Sequence, residues 1–228
     1  MKLISVNVGL PREVIYNGNT IMTGIFKEPV EGRITLRRFN LDGDRQADLS
    51  VHGGADKAVY AYPVKHYDYW RRELPERELP FGMFGENLTT EGLLEEAVNI
   101  GDRFRVGSAE LMVTQPRLPC YKLGIKFGRE DIIKRFLASR RTGFYFSVLR
   151  EGEVGAGDEI ELIGRDAHNV TVLDITKLYA NKNVSAKDLK ALHRTTQVEA
   201  LPERWRAYFL RKIDTLNNEL AKDQDNRR

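Results

Sequence analysis

The stretch Gln115-Pro116-Arg117-Leu118-Pro119-Cys120-Tyr121-Lys122-Leu123 holds the only cysteine in 228 residues. Pro116 and Pro119 each fix φ and lack an amide donor, so the segment is not a helix interior. Each also pushes the residue before it towards an extended conformation. Cys120 is therefore expected on a stiff, extended loop. Arg117 lies three residues before it and Lys122 two after. Cations close to a sulfur favour thiolate over thiol. A thiolate on a rigid loop suits metal ligation or nucleophilic attack. A lone cysteine is more often a small buried hydrophobe, but structural buried thiols avoid cations, and this one is flanked by two.

Other residue types with chemical capacity are scattered. Val51-His52-Gly53-Gly54 joins a possible anion donor or metal ligand to two glycines that let a backbone approach a ligand closely or take positive φ. An exposed histidine beside a tight turn is the plainer account of the same residues. The pattern is not a dinucleotide fingerprint, because no G-x-G-x-x-G follows a strand. Phe84-Gly85-Glu86-Asn87 offers Asn87, which has both donors and an acceptor for a heterocycle and equally suits a turn. Asp42, Asp44 and Asp48 invite a calcium loop, but Gln46 and Ala47 occupy the ligand and glycine positions, and Asp42-Gly43 reads as a turn. Cys120 and His52 do not make a zinc site by themselves, since no Cys-x-x-Cys or His-x-x-x-His set completes a tetrahedron. His66 falls on an aromatic helical face and reads as packing.

The elements around these residues read as a β-rich part followed by helices. Strands are expected at 3–8, 23–26, 33–39 and 144–149, with hairpins about Asn17-Gly18 and Gly107-Ser108. The second hairpin leads directly to the cysteine loop. Pro63 to Glu73 and Gly128 to Arg141 read as amphipathic helices, with Pro63 in a first turn. Thr90–Glu96 reads as a short helix or turn, and 170–172 as a last strand. Beyond it, helices are expected at 173–179, from Ser185 through Leu192, and from Pro202 to about 222. Two units follow: a β-rich domain over 1–165 and a small three-helix domain over 166–228.

Composition is that of an ordinary globular chain, 41% hydrophobic and 30% charged. No apolar run approaches the roughly 18 residues that span a membrane. The alternating start, Met1 to Val8, is too short and polar for a signal peptide. One cysteine forbids an internal disulfide, so a reducing cytoplasm is expected. A net charge of +3 argues against a dedicated nucleic-acid binder or a membrane-surface protein. From residue 167 onward there are 12 Lys and Arg against 8 Asp and Glu, so the net charge sits in the helical unit. That is usually a solvated face, and otherwise a surface for an acidic partner.

Five short pieces occur together and in order: Asp42-Gly43-Asp44-Arg45-Gln46, Val51-His52-Gly53-Gly54, Phe84-Gly85-Glu86-Asn87-Leu88, Ile100-Gly101-Asp102 and the cysteine stretch. The set resembles the MOSC domain, named for the C-terminal domain of molybdenum-cofactor sulfurase, and within it the YiiM-type proteins with a C-terminal three-helix domain. The resemblance covers essentially the whole chain. It implies an α+β fold, a MOSC β-barrel-like domain with peripheral helices plus the small helical domain, and a cleft for the molybdenum cofactor. By this resemblance Cys120 ligates molybdenum. Arg45 and Arg117 pair with the molybdopterin phosphate, a task suited to guanidinium. Gly53 and Gly54 allow close approach, His52 and Asn87 bond the pterin or the oxo ligands, and Thr23 adds a hydroxyl. Relatives often carry a lysine just after the glycine of the early turn, where this chain has Asn19.

The resemblance further implies a reductase that removes oxygen from N-hydroxylated compounds such as N-hydroxylated purine bases, the metal cycling between Mo(IV) and Mo(VI). No flavin, haem or iron–sulfur signature is present, so electrons must come from a separate reductase. The alternative is a non-catalytic carrier of the cofactor, or of sulfur as a Cys120 persulfide. The same cysteine serves either role.

Overall fold

The computed structural model describes residues 1–48, 53–181 and 185–225. The first strand, β1 (Lys2–Val8), runs where the alternation placed it. The strands β2 (Arg12–Tyr16) and β3 (Asn19–Thr23) form a hairpin whose two-residue turn, Asn17-Gly18, has φ of 50° and 75°. Two successive positive-φ residues are what a tight hairpin with right-handed twist requires. β3 ends at Thr23, so residues 24–26, expected as strand, are irregular. Two short strands follow, β4 (Glu28–Pro29) and β5 (Arg33–Leu36).

The next unit is β6 (Val59–Pro63), α1 (Lys65–Glu73) and β7 (Leu88–Glu91). β6 and β7 pair in parallel, which requires a crossover such as α1 supplies. Pro63 thus ends a strand and does not open the helix. Thr90 and Glu91 likewise belong to a strand. β8 (Arg103–Val106) and β9 (Ala109–Pro116) form the expected hairpin, with Phe104 and Val106 buried and Arg103 and Arg105 outside. The chain then passes the cysteine loop into α2 (Tyr121–Phe127) and α3 (Asp131–Ser139), before β10 (Phe144–Arg150), β11 (Gly152–Gly155) and β12 (Ile160–Gly164). Three helices close the described chain: α4 (Val172–Ala180), α5 (Leu189–Thr196) and α6 (Glu203–Asp225). Residues 170–172 form no strand; Thr171 makes one isolated bridge to Asn99 and caps α4 through a capping box with Asp174.

Eight strands form one sheet in the order β12-β8-β9-β10-β6-β7-β1-β4. The sheet curls until β1 meets the turn before β12: Leu3 N–H donates to Asp158 O at 2.9 Å and Ile160 N–H to Met1 O at 2.9 Å. These contacts and one isolated bridge join the two without a continuous ladder, so the α+β fold is barrel-like and not a closed barrel. Its main core runs from Leu3, Val113 and Phe144 into Ile175, Leu192, Trp205 and Phe209 of the C-terminal helices. The sheet and these helices therefore share one buried cluster across residue 165. A second, aromatic cluster gathers Tyr62, Tyr67, Trp70, Phe84, Phe127 and Phe136 between α1, α2 and α3. Tyr62 and Phe84 stack at 4.5 Å between centroids. This cluster supports the loops around the cysteine.

Candidate functional site

β9 hands the chain to Arg117, whose backbone N–H donates to Gly143 O at 3.2 Å. Residues 117–120 are then irregular, and Cys120 stands extended at φ −120°, ψ 171°, partly exposed, directly before α2. The stiff loop follows from the prolines. The helix that starts at Tyr121 does not announce itself, because it is under two turns long.

Cys120 lies on the wall of an open cleft of about 640 Å³, continuous with solvent. Six segments build it: Thr23–Lys27 from the end of β3, the turn at Arg45–Ala47, the start of β6 at Tyr60 with Lys57 before it, the Gly85–Asn87 loop, Arg117 to Lys122, and the start of β10 at Tyr145. Lys27, Arg45, Lys57, Arg117 and Lys122 all line it, and among the described residues no carboxylate does. Such a wall selects anions.

Arg117 is only 5% exposed. Its guanidinium carbon sits 5.3 Å from the Tyr60 ring centroid and 5.2 Å from that of Phe136. Its Nη1 is buried and has no hydrogen-bond partner among the described residues. Burial works against its charge, yet the tyrosines and thiol around it leave its pKa above the usual guanidinium value. A buried donor left unpaired costs about 1–3 kcal/mol, so this group points to an acceptor brought by a ligand. Arg45 is exposed at the rim, and Lys122 is buried along its length; neither side chain is hydrogen-bonded or ion-paired to the described residues.

Lys27 is used differently. Its ammonium pairs with Asp44, the two side chains being 8% and 0% exposed. Burial lowers the Lys27 pKa, with Asp44 acting in the opposite sense. Asp44 also accepts from Gly9 N–H at 2.9 Å and from Asn87 Nδ2 at 2.9 Å. The second Nδ2 hydrogen of Asn87 goes to Asn7 O at 3.3 Å, and its Oδ1 accepts from Tyr60 N–H at 3.1 Å. Asn87 lines the cleft as expected, but only the second lone pair of Oδ1 is unclaimed. Its donors fasten the 41–48 turn to β1 and are not available for a pterin.

Thr23 also lines the cleft, and its Oγ1 accepts from Ile25 N–H at 3.3 Å. Gly53 and Gly54 are not part of the wall, and a Cβ on Gly54 would meet nothing within 4 Å; its φ of 98° is the reason for glycine there. The close approaches lie at Gly24, where a Cβ would come within 2.3 Å of Arg45 O, and at Gly85, within 2.9 Å of Ile25 Cγ1. His52 lies outside the described residues. Behind the wall, Lys126 donates to Ile25 O at 3.0 Å and Gly82 O at 2.6 Å, and burial lowers its pKa to about 8. Glu86, fully buried, accepts from Tyr67 O–H, Gly82 N–H, Phe84 N–H and Thr89 Oγ1, and burial raises its pKa. Lys27, Lys57, Tyr60 and Tyr145 join the site from separate loops and strands, so no spacing in the sequence signals them.

These residues fit an anionic, sulfur-ligated metal cofactor: a soft donor at Cys120, a wall of cations with no lining carboxylate among the described residues, and a buried arginine whose Nη1 has no partner among them. No cluster of three or more His, Cys, Asp or Glu side chains able to hold a metal ion exists among the described residues. A metal here would take one protein thiolate and draw its other ligands from the cofactor. His66 Nε2 and Glu95 Oε2 meet at 2.7 Å in a separate buried contact. No helix among the described residues is long and apolar enough to cross a membrane.

Residues 48–161 match the family model of the MOSC domain. The chain belongs to the MOSC domain family. That family is associated with molybdopterin cofactor binding. Among MOSC relatives, the uncharacterized protein YflK of Bacillus subtilis is 44% identical over 214 residues, 94% of this chain and 95% of that protein. A protein named reductase from Gibberella moniliformis is 35% identical over 184 residues, which are 79% of this chain and 32% of that longer protein. The crystal structure of YiiM from Geobacillus stearothermophilus matches with a TM-score of 0.76 at 30% identity, covering 93% of this chain and 98% of that one. The YiiM likeness extends over the C-terminal helices as well as the MOSC region.

Proposed function

We propose that the chain is a molybdenum-cofactor-dependent reductase of N-hydroxylated compounds, N-hydroxylated purine bases among them. The observation that carries this reading is the partly exposed Cys120 beside the buried Arg117, whose Nη1 has no partner among the described residues, in a cleft lined by cations and no described carboxylate. Membership of the MOSC family and the reductase name of one relative support it.

Cys120 would hold molybdenum through its thiolate, and Arg117 and Arg45 would hold the pterin phosphate. When bound, the cofactor supplies two-electron reduction of an N–OH group to N–H, the oxygen leaving as water with two protons. The chain's own part is positioning and proton supply. Lys27 keeps an ammonium at the cleft wall beside Asp44. The Tyr145 phenol, pushed up mainly by burial, keeps its proton on the same wall. Electrons come from a separate reductase, and an acidic donor docked on the basic C-terminal helices belongs to the same proposal. Turnover with the natural donor that is unchanged after neutralising Lys177, Lys187 and Lys190 would remove that docking site.

Metal and pterin analysis of wild type and Cys120→Ala, both from a molybdate-fed host, tests the reading. Near-stoichiometric molybdenum lost in the variant, followed by reoxidation of the reduced protein by an N-hydroxylated base, is the expected result. A well-folded wild type without molybdenum or pterin would overturn it. Stable cofactor that passes to an apo-enzyme without any substrate turnover would favour the carrier role.

A further inference from the structure

Beside the cofactor cleft lies a second, open pocket of about 480 Å³. Its floor is aromatic. Tyr179 of α4 and Trp205 and Tyr208 of α6 lie with ring centroids 5.4, 5.6 and 6.3 Å apart. Its remaining wall is Leu118, Arg204 and Arg211. Leu118 also lines the cofactor cleft. Only Pro119 separates it from Cys120, at most about 7 Å of chain.

The two arginines are placed for a ligand. Arg204, Tyr208 and Arg211 stand at i, i+4 and i+7, one face of α6. Both arginines are exposed, and neither guanidinium has a hydrogen bond or ion pair with the described residues. The neighbouring Arg206, by contrast, is tied to the Thr196 and Val198 carbonyls and to Glu203. The charge of Arg204 is felt at Lys57 and Tyr145 on the cofactor cleft, which puts it on that side of the pocket. Arg211 lies about 10 Å further along the helix, two turns on.

We propose that this pocket is a nucleotide subsite: Tyr179 and Tyr208 stack a planar base beside the buried Trp205, Arg211 binds a 5′-phosphate, and the substrate is an N-hydroxylated nucleoside phosphate in preference to the free base. The proposal rests on the reductase reading for the word substrate, but the binding site stands apart from it. Aromatic stacking accepts any base face, and the fork of one guanidinium matches two phosphate oxygens. Phosphate at the far end leaves the base edge towards Leu118 and the cleft that holds Cys120.

Adenosine 5′-monophosphate, a product-like probe, tests the site by calorimetric titration of the full-length protein, with adenosine, inorganic phosphate and a short single-stranded oligonucleotide beside it. The monophosphate should bind about tenfold or more tightly than adenosine, since a charge-assisted bond is at stake. Arg211→Gln should bring it down to the adenosine level, and Arg194→Gln, on α5, should leave it unchanged. Melting curves matching wild type show that the variants fold. Equal binding of nucleotide and nucleoside, or no effect of Arg211→Gln, overturns the phosphate role. Inorganic phosphate binding as tightly as the nucleotide overturns the aromatic floor, and tighter binding of the oligonucleotide assigns the pocket to a nucleic acid instead. Binding needs no metal or electron donor, so its failure is distinct from failure of the reductase reading, which metal analysis decides.

Discussion

Trp205 Nε1 donates to Gln115 Oε1 at 2.8 Å, joining the longest C-terminal helix to the strand that delivers the cysteine loop. Gln115 Nε2 continues the link to Asp56 O at 3.1 Å, next to Lys57 on the cleft wall. The C-terminal helices thus brace the site from behind while sharing a core with the sheet. Trp205→Phe keeps most of the ring packing and leaves Gln115 Oε1 buried without this donor. A loss of about 1–3 kcal/mol in denaturant unfolding is expected. Cys120 in this variant should also react faster with a thiol reagent, because the loop loses its brace. Unchanged reactivity would show that the bracing stops short of the cysteine.

Arg117 separates binding from stability. The apoprotein carries its buried Nη1 without a partner among the described residues. Arg117→Met keeps the volume and removes the orphan. Apoprotein from this variant should be no less stable than wild type, and up to ~1–3 kcal/mol more stable. Pterin and molybdenum retained after purification should fall by tenfold or more. A variant that is both less stable and fully loaded would show that Arg117 serves packing.

Lys126 gives a pH signature. Burial lowers its pKa to about 8, while an unfolded lysine titrates near 10.5. A lysine with a depressed folded pKa destabilises the fold fully at pH below 8. The penalty fades as pH rises from about 8 to 10.5, because the unfolded chain then binds more protons than the native one. Lys126→Met lacks this contribution. Wild-type stability minus that of the variant should therefore rise across this window, by at most about 3 kcal/mol. Parallel stability–pH curves from paired urea titrations would show that Lys126 titrates normally.

The cysteine loop and its hairpin were readable from the sequence because both are local. Two prolines fix an extended path, and alternation on either side of Gly107-Ser108 fixes a register. The same holds for Asn17-Gly18 and for the three C-terminal helices, whose apolar positions recur at helical spacing. Pro63 misled because a proline that suits a first helical turn also suits the last residue of a strand. Residues 121–127 gave no period long enough to read. The largest gap lay in pairs distant along the chain. Lys27 and Asp44 face each other across two loops, and Asn87 spends its donors on Asp44 and Asn7. An asparagine facing a cleft looks available in the sequence, and only the fold shows its hydrogens already taken.

That buried network couples Lys27 to Asp44 energetically. Asp44→Asn leaves the Lys27 ammonium in a site where burial already lowers its pKa, and sets an amide against the Asn87 Nδ2 donor. Breaking one side of a buried pair costs about 3–5 kcal/mol. The double variant Lys27→Met with Asp44→Asn removes the stranded charge, so it should recover most of that loss. A coupling of roughly 2 kcal/mol or more between the two positions is expected from the cycle, as for residues in direct contact. Cofactor retention should not recover with stability, since Lys27 lines the cleft and the 41–48 turn that carries Arg45 hangs on Asp44. Additive effects of the two substitutions in urea unfolding would mean that Lys27 and Asp44 act independently, and the turn would then be held by Asn87 and Gly9 alone.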